Sequence, residues 1–357
     1  FPAVSIANAI KELDPEAQIL FVGALGRMEM ERVPEAGYRI IGLPVRGFNR
    51  AKPWKNISVL IDLWRSMRQA KRIIRDFQPD VAVGVGGYAS GAAMKVAAKM
   101  HIPVLLQEQN GFAGVTNKLL KDDAAKICVA YENMERFFPK EKIILTGNPV
   151  RQNLTQGDAA HAVEFFNREF GVSFSPDKPT LLIIGGSLGA KTINDSIMAA
   201  LPELLKADIQ IVWQTGKTYF EQCHQHLLAL TNQQPCNCVC TAFLSNMPDA
   251  YALAQLVISR AGASSISELC LLGKPAILVP SPNVAEDHQT HNAMALVNRQ
   301  AAVLVRDVEA ANILVSTALN LITNEEQLTS LHQHILQLAQ TDSAHRIALE
   351  VRKLIQK

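Results

Sequence analysis

Short apolar runs of the kind that form buried strands alternate with helical patterns along almost the whole chain. This alternation occurs as two successive series. In the first series the predicted strands are Ile19–Val22, Val81–Val85, Val104–Gln107, Lys126–Ala130 and Ile143–Thr146. Its predicted helices are Ala3–Leu13, Val59–Phe77 and Ala92–Met100. Such an alternation predicts a parallel sheet with helices on both faces.

A second series begins after Asn148-Pro149-Val150 and a polar, weakly patterned stretch from Gln156 to Lys178. Its predicted strands and clearest helices are Thr180–Ile184, Ile209–Gln214, Cys238–Ala242, Leu256–Ser259 and Ala276–Pro280, with Ser265–Leu272 and His291–Asn298. The sequence therefore predicts an α/β fold of two doubly wound, Rossmann-like domains facing a cleft. We expect residues 1–148 to form the first domain and 149–342 the second, with an amphipathic helix over 343–357 that packs back on the first.

Composition excludes several classes of protein. The 357 residues suit two domains of about 150 residues each. The formal net charge of +2 argues against a protein that grips nucleic acid along its whole face. No run of 18 apolar residues and no signal peptide is present, so we expect no membrane-spanning helix. Because the chain opens at Phe1-Pro2-Ala3, directly in a helical pattern, we expect a further segment upstream.

The six cysteines include no Cys-x-x-Cys pair, so neither a zinc ribbon nor a redox motif is indicated. Cys236, Cys238 and Cys240 alternate with other residues. This spacing suits a soft-metal site or, as the favoured interpretation, one face of a strand. Scattered thiols in a large chain fit a reducing cytosol.

The strongest local motif is the strand Thr180–Ile184 followed by Gly185-Gly-Ser-Leu-Gly-Ala190 and a helix. Backbone N–H groups at a helix start, at the positive end of the helix dipole, suit a diphosphate, with Ser187 as a further donor. A tight turn without a ligand is the alternative. The loop also approaches a Walker A motif, but Ala190 stands where that motif needs glycine, so an NTPase is a weak rival.

A second candidate loop, Arg260–Glu268, follows the strand Leu256–Ser259 with small and hydroxyl residues. It could form another anion site, with Glu268 binding the paired hydroxyls of a ribose. Alternatively, Ser265 and Glu268 form only a capping box. In the first domain, Val83–Gly91 is a third glycine-rich turn, which ordinary turn chemistry also explains. The polar run Gln107-Glu-Gln-Asn110 ends a strand and is expected to face the cleft.

Taken in order, these loops resemble the MurG family of bacterial two-domain glycosyltransferases of the GT-B class, over essentially the full chain. The matching segments are Phe1-Pro-Ala3, Val85-Gly-Gly-Tyr-Ala-Ser-Gly91, Glu108-Gln-Asn-Gly111, Thr116-Asn-Lys118, Gly147-Asn-Pro-Val-Arg151, Gly185-Gly-Ser-Leu-Gly-Ala190, Ser264-Ser-Ile-Ser-Glu268 and Asp287-His-Gln289. Eight segments in register make the resemblance highly specific.

The resemblance implies inverting transfer of N-acetylglucosamine from UDP to a muramyl peptide on a polyprenyl pyrophosphate, which is lipid I, giving lipid II in peptidoglycan synthesis. The implied donor-binding residues are Asn110, Arg151, Ser187, Leu244, Ala263, Ser264, Ser265, Ile266, Ser267, Glu268 and Gln289. Within this set, Ser187 and residues 263–267 are expected to contact the diphosphate, Glu268 the ribose, the backbone near Leu244 the uracil, and Gln289 the sugar. Gly86, Gly87 and Tyr88 are expected on the acceptor side. No cofactor and no tightly bound metal are expected.

Two departures from the family pattern concern the catalytic base. In the family, a first strand and a Gly-Gly-Thr-Gly-Gly-His loop precede the position of Phe1, and that histidine, the favoured base, is not in this chain. The family also often has histidine where Gln107 stands. Glu108 is then the remaining candidate for a general base.

The implied acceptor carries a lipid tail, so the resemblance also favours a peripheral protein on the cytoplasmic face of the bacterial inner membrane. The candidate contact is Trp54 with the helix Val59–Phe77, whose Arg65, Arg68 and Arg72 form a basic stripe beside Leu60, Leu63, Trp64 and Met67. Core packing of that apolar stripe is the alternative. Proteins of cell-wall synthesis or cell division are further candidate partners.

Two other functions stay open from the sequence. The first is a different GT-B enzyme, such as a sugar-nucleotide epimerase or a diacylglycerol glycosyltransferase. The second, more remote, is a two-lobed solute-binding protein, which would normally carry an export signal.

Overall fold

The computed structural model describes residues 2–45, 56–150, 152–186 and 188–355. It has two compact units, the first formed by Phe1–Val150 with Thr341–Lys357 and the second by Arg151–Gln340. The sequence-based boundaries, after residues 148 and 342, differ from these by two residues each.

The described part of the first unit contains two parallel sheets. Its strands are β1 (Leu20–Ala24), β2 (Arg39–Leu43), β3 (Ala82–Gly84), β4 (Val104–Glu108), β5 (Lys126–Val129) and β6 (Ile143–Leu145). The sheets have the orders β1-β2 and β3-β4-β5-β6. Its helices are α1 (Pro2–Leu13), α2 (Glu29–Glu35), α3 (Asn56–Phe77), α4 (Gly87–Lys99), α5 (Val115–Leu120) and, from the end of the chain, α15 (Ser343–Ile355).

Apolar side chains cover both faces of these sheets. On one face, a core that includes Ala24, Leu43 and Leu106 extends over both sheets. On the other face, α1 packs against α15, and Ile6, Leu105, Cys128, Ile347, Val351 and Leu354 form a separate cluster. The last helix therefore belongs to the first unit, as its amphipathic pattern predicts.

The second unit is built on one parallel sheet with the order β12-β11-β10-β7-β8-β9. Its strands are β7 (Thr180–Ile184), β8 (Gln210–Gln214), β9 (Cys238–Thr241), β10 (Leu256–Ser259), β11 (Ala276–Leu278) and β12 (Val303–Leu304). Its helices are α6 (Ala159–Phe170), α7 (Lys191–Ala199), α8 (Leu201–Lys206), α9 (Phe220–Thr231), α10 (Met247–Leu253), α11 (Ala263–Leu272), α12 (His288–Val297), α13 (Ala310–Ile322) and α14 (Glu325–Leu336). The predicted α/β fold class is confirmed.

The elements that were not predicted from the sequence include β2, β12 and α6. The strand β2 contains Gly42, and β12 has only two residues, so neither gives a clear apolar run. The helix α6 lies in the weakly patterned polar stretch, where Asp158 caps its start by accepting from the backbone N–H of His161. None of the described helices has the length and apolar character needed to cross a membrane.

The alternating cysteines lie in the core of the second unit. Cys238 and Cys240 are buried on β9, Cys236 packs against the same cluster, and Cys223 joins them from α9. Burial raises the pKa of Cys240 to about 12, so this thiol stays protonated at neutral pH. The strand-face interpretation is confirmed for Cys238 and Cys240, whereas Cys236 lies two residues before the strand.

Candidate functional site

The strand order of the second unit creates one switch point at the carboxyl edge of its sheet. The chain runs outward from β7 through β8 and β9, and then returns to place β10 on the other side of β7. The loops that follow β7 and β10 therefore lead away from each other. Ligands bind at such a point in open α/β sheets. We call these two loops and the adjoining helix start, residues 185–190 and 260–267, the anion cradle.

Glycines allow the first loop of the anion cradle to pack directly on the loop after β8. Gly189 has a φ of +94°, and a Cβ atom added there would lie 2.5 Å from the carbonyl oxygen of Thr215 and 2.5 Å from the ring of Tyr219. A Cβ atom on Gly216 would lie 2.1 Å from the nitrogen of Gly189. These positions require glycine because backbone atoms cannot move aside as a flexible side chain can. Ser187 lies outside the described residues.

The two helices that begin at the anion cradle have no side-chain cap. The residue before α7 is Ala190 and the residue before α11 is Gly262, and neither provides a capping side chain. Of the described helices of this unit, α6 and α14 have side-chain caps, from Asp158 and Asn324, and the others have none, so it is their place at the switch point that distinguishes α7 and α11. The first N–H groups of a helix have no partner within the helix. The starts of α7 and α11 are therefore suited to bind an anion.

The second loop differs from the capping-box alternative. Because α11 begins at Ala263, Ser265 is already its third residue and cannot be its N-cap. Ser264 is exposed, whereas Ile266 is buried under the helix. The hydroxyl of Ser267 donates to the carbonyl oxygen of Ala263 at 2.9 Å. Of the predicted diphosphate contacts, the exposed Ser264 and the half-buried Ser265 thus have accessible hydroxyls.

Glu268 lies one helical turn along α11 from Ser264 and Ser265 of the anion cradle. Its Oε2 atom accepts a hydrogen bond of 3.2 Å from the hydroxyl of Tyr251, which is buried on α10. This bond holds the half-buried carboxylate in one orientation. A fixed carboxylate beside an anion site is the arrangement expected for binding ribose hydroxyls.

The remaining predicted donor residues of this unit lie on neighbouring loops. Leu244 is buried in the loop between β9 and α10, next to the exposed Phe243. Gln289 lies in the first turn of α12, where its Oε1 atom accepts from the backbone N–H of Ser281 at 2.8 Å. Its amide nitrogen makes no hydrogen bond with any described residue, so its donors remain free for water or a ligand. Arg151 lies outside the described residues.

One side-chain network at this edge was not anticipated from the sequence. Arg260 Nη1 donates to the carbonyl oxygens of Val279 at 3.1 Å and Pro280 at 3.2 Å, and it pairs with Asp307. Asp307 also accepts a hydrogen bond of 2.9 Å from the hydroxyl of Thr192. No local motif signals this network, because its members are up to 115 residues apart.

In the first unit, Glu108 is a buried structural carboxylate. It is 2% exposed at the end of β4. Its Oε2 atom accepts from the backbone N–H of Gly114 and from Asn117 Nδ2, both at 2.9 Å. Its Oε1 atom accepts from the backbone N–H and side-chain nitrogen of Asn110 at 3.1 and 3.3 Å. This geometry favours holding the loop 109–114 over proton transfer.

The polar run of β4 is therefore turned inward. Gln107 is fully buried, and its Nε2 atom donates to Asn148 Oδ1 at 3.0 Å. Gln109 donates to the carbonyl oxygen of Val85 at 3.0 Å. These side chains, with Glu108 and Asn110, bind one another and nearby backbone. The expectation that the run faces the cleft stays a prediction.

The glycine-rich turn at the start of α4 has an unusual backbone. Gly86 and Gly87 have φ values of +87° and +83°, and Tyr88 is exposed. Asn117 Oδ1 is buried without a hydrogen-bond partner, and its Nδ2 atom would lie 4.0 Å from a Cβ atom on Gly86. That Nδ2 atom donates to the carbonyl oxygen of Gln107 and to Glu108 Oε2, so Asn117 ties α5 to the end of β4 beside this turn.

The basic stripe predicted on α3 is exposed and borders a cavity of about 600 Å³. Trp64 is 58% exposed, with Arg68 stacked over its ring at 4.7 Å, whereas Leu63 and Met67 pack against the core. The apolar stripe predicted on α3 is therefore partly in the core, through Leu63 and Met67, and partly on the surface, through Trp64. The cavity is lined by Arg39, Arg65, Arg68 and Arg72, none of which pairs with a described carboxylate. Trp54 lies outside the described residues.

Comparison with protein families matches both halves of the chain. The model for the glycosyltransferase family 28 N-terminal domain matches residues 1–129. The model for the glycosyltransferase family 28 C-terminal domain matches residues 180–347.

Curated relatives match along the full length. A UDP-N-acetylglucosamine–N-acetylmuramyl-(pentapeptide) pyrophosphoryl-undecaprenol N-acetylglucosamine transferase of Bacteroides fragilis is 59% identical, covering 100% of this chain and 93% of its own. The enzyme of that name from Bacteroides thetaiotaomicron is 58% identical, covering 99% and 94%.

Solved structures give the same result for the fold. The crystal structure of Acinetobacter baumannii MurG matches with a TM-score of 0.76 at 26% identity, over 99% of this chain and 95% of its own. A UDP-GlcNAc 2-epimerase from Neisseria meningitidis bound to UDP-GlcNAc matches with a TM-score of 0.65 at 17% identity, over 99% and 96%. The second likeness concerns the fold alone.

Proposed function

Because the chain belongs to glycosyltransferase family 28, and within it to the UDP-N-acetylglucosamine–N-acetylmuramyl-(pentapeptide) pyrophosphoryl-undecaprenol N-acetylglucosamine transferases, we propose that it makes lipid II. The donor is UDP-N-acetylglucosamine, and the acceptor is lipid I, the muramyl pentapeptide carried on pyrophosphoryl-undecaprenol. The observation that carries the proposal is the pair of uncapped helix starts at the switch point, with an oriented carboxylate one turn along α11.

In the proposed donor complex, the starts of α7 and α11 bind the diphosphate, with Ser187, Ser264 and Ser265 as hydroxyl donors. Glu268 binds the ribose hydroxyls, the backbone near Leu244 binds the uracil, and Gln289 binds the sugar. The support for these roles is the uncapped helices, the hydrogen bond that orients Glu268 and the unused amide donors of Gln289. Asn110 and Arg151 remain proposed donor contacts from the resemblance alone.

The chemistry follows from the charges that develop. A general base takes the proton of a muramyl hydroxyl as its oxygen attacks the anomeric carbon, the bond to UDP breaks with inversion, and negative charge grows on the leaving diphosphate. N–H groups already aimed at that position stabilise the charge without reorganising, and each is worth about 3 kcal/mol. We assign this stabilisation to the protein's own helix starts and propose that no metal is required.

Glu108 has a different proposed role from the one the sequence suggested. Its four hydrogen bonds hold the loop 109–114 and the start of α5, so we propose that it positions this part of the first unit and is not the base. Gly86, Gly87 and Tyr88, at the start of α4, remain the proposed acceptor side. The exposure of Tyr88 supports that assignment.

Release of UDP by the purified protein tests the function. We expect release only when a muramyl-pentapeptide pyrophosphoryl lipid is present. We also expect kcat/KM to be at least about tenfold higher with UDP-N-acetylglucosamine than with UDP-glucose or UDP-galactose, because a binding site for the acetamido group that is left unfilled costs about 1–3 kcal/mol. The assay is repeated in EDTA, where we expect the same rate.

The same assay separates the rival enzymes. Turnover of UDP-N-acetylglucosamine without any acceptor would indicate an epimerase, and transfer to diacylglycerol would indicate a lipid glycosyltransferase. Equal kcat/KM for the three nucleotide sugars would contradict the donor assignment, and loss of activity in EDTA would contradict the metal-free mechanism.

Peripheral contact with an anionic membrane, on the cytoplasmic face of the inner membrane, is part of the proposal. Its support is the exposed Trp64 and the four arginines around the α3 cavity, which lack carboxylate partners among the described residues. An exposed tryptophan beside unpaired arginines suits the boundary between phosphate headgroups and acyl chains.

Replacing Arg65, Arg68 and Arg72 together by glutamate is expected to weaken binding to phosphatidylglycerol-containing vesicles by about 100-fold. Each basic residue near such a surface contributes about 1 kcal/mol. Co-sedimentation measures the partition. The matched control replaces the exposed Arg168, Lys178 and Lys206 of the second unit by glutamate, which makes the same change in charge. Equal losses in both variants, or none in the first, would contradict the assignment.

A further inference from the structure

The carboxylate of Asp307 joins the second loop of the anion cradle to the first turn of α7, although it follows the edge strand β12. One of its oxygens pairs with Arg260, directly after β10. The other accepts from the hydroxyl of Thr192 in the first turn of α7 at 2.9 Å. The side chains of Arg260 and Asp307 are only 18% and 17% exposed, so this pair is better shielded from solvent than a surface ion pair.

Arg260 is held along one edge of its guanidinium group. All of its hydrogen bonds to described residues use Nη1, which donates to Asp307, Val279 and Pro280. A guanidinium group has five N–H donors, so Nε and Nη2 keep three donors unused. Because Asp307 binds both Arg260 and Thr192, the guanidinium group lies next to the start of α7. The other edge of the guanidinium group has no partner among the described residues.

We propose that Asp307 is a positioning residue for donor binding. It holds Arg260 by one edge so that the other edge binds the diphosphate, and through Thr192 it keeps the start of α7 in register with that contact. The inference rests on the proposed function, because its ligand is the diphosphate of UDP. Asp307 itself does not touch the donor.

Charge and geometry give opposite expectations for the variant Asp307→Asn. If Asp307 acted only through its negative charge, removing that charge beside a diphosphate would tighten UDP binding. If Asp307 positions Arg260, the loss of a charge-assisted pair frees the guanidinium group to rotate, and UDP binds less well. The direction of the change therefore distinguishes positioning from simple electrostatics.

Calorimetric titration with UDP and with uridine tests the proposal. In Asp307→Asn we expect the Kd for UDP to rise about tenfold, as for the loss of one charge-assisted contact, and the Kd for uridine to change less than about twofold. In Thr192→Val, which removes one neutral hydrogen bond, we expect about a threefold rise for UDP alone. Asp208→Asn is the matched control, because its exposed pair with Lys178 lies at the opposite edge of the same sheet.

The outcomes are distinct. UDP binding that is unchanged or tighter in Asp307→Asn overturns the proposal, as does equal weakening of UDP and uridine, which would indicate a general structural role. If Asp307→Asn does not fold by circular dichroism, unchanged UDP binding in Thr192→Val overturns it. A wild-type protein that binds UDP no better than uridine would instead contradict the proposed diphosphate site itself.

Discussion

Replacing Gly189 by alanine is expected to lower the free energy of unfolding of the second unit by about 3–5 kcal/mol and to abolish UDP binding. Two costs combine at this residue. A φ of +94° strains any residue with a Cβ atom, at about 1–3 kcal/mol. The added methyl group also meets the carbonyl oxygen of Thr215 at 2.5 Å, so the loop 185–190 must move away from the loop after β8.

Gly186→Ala is the matched control for stability. Gly186 has a similar φ of +77°, but a Cβ atom there meets no heavy atom within 4 Å, so only the backbone strain of about 1 kcal/mol remains. Urea denaturation followed by the fluorescence of Trp213, which is fully buried in the second unit, measures both variants in a background where Trp54 and Trp64 are phenylalanine. Equal stability of the two alanine variants would show that the close packing at Gly189 is unimportant.

Replacing Glu268 by glutamine is expected to lower kcat/KM for UDP-N-acetylglucosamine by about 100-fold. A carboxylate accepts from both ribose hydroxyls in charge-assisted hydrogen bonds, whereas an amide offers one neutral acceptor, and the difference is about 2.7 kcal/mol. Glutamine is nearly isosteric and can still accept from the hydroxyl of Tyr251. We therefore expect little change in the free energy of unfolding.

The ribose itself provides the decisive comparison. Wild-type protein is expected to bind UDP at least about tenfold more tightly than 2′-deoxy-UDP, and this preference should fall below about threefold in Glu268→Gln. Glu203→Gln, on the exposed face of α8, is the control and should leave the preference intact. A wild-type preference that persists in Glu268→Gln would assign the ribose contact to another residue.

Much of the fold follows from local patterns, because parallel strands buried on both faces are continuous apolar runs. The strands β7 and β10 have the predicted bounds, and the family resemblance read from eight short motifs is confirmed by relatives at 59% identity. Helix starts were less predictable. α11 begins two residues early because Gly262, in an extended conformation, takes the N-cap position that a hydroxyl residue was expected to fill.

The candidate site was predictable where its residues are adjacent in the chain and unpredictable where they meet only in the fold. Glu268 follows its loop by one turn, so its place beside the helix start could be read from spacing. Glu108 is polar at a strand end, which suggested chemistry, yet its acceptors are used by Gly114 and Asn117 further along the chain. Asp307 reaches Thr192 across 115 residues, and no periodicity encodes that contact.

The packing of α15 against α1 has a consequence for the order of events during synthesis. Ile347, Val351 and Leu354 cover the cluster around Ile6, so the first unit cannot complete its interior until the ribosome has made α15. The second unit is continuous from Arg151 to Gln340 and can fold as soon as it emerges. The first unit therefore begins translation before the second unit but is completed after it. Until α15 packs on α1, the apolar surface around Ile6 stays exposed on the nascent chain.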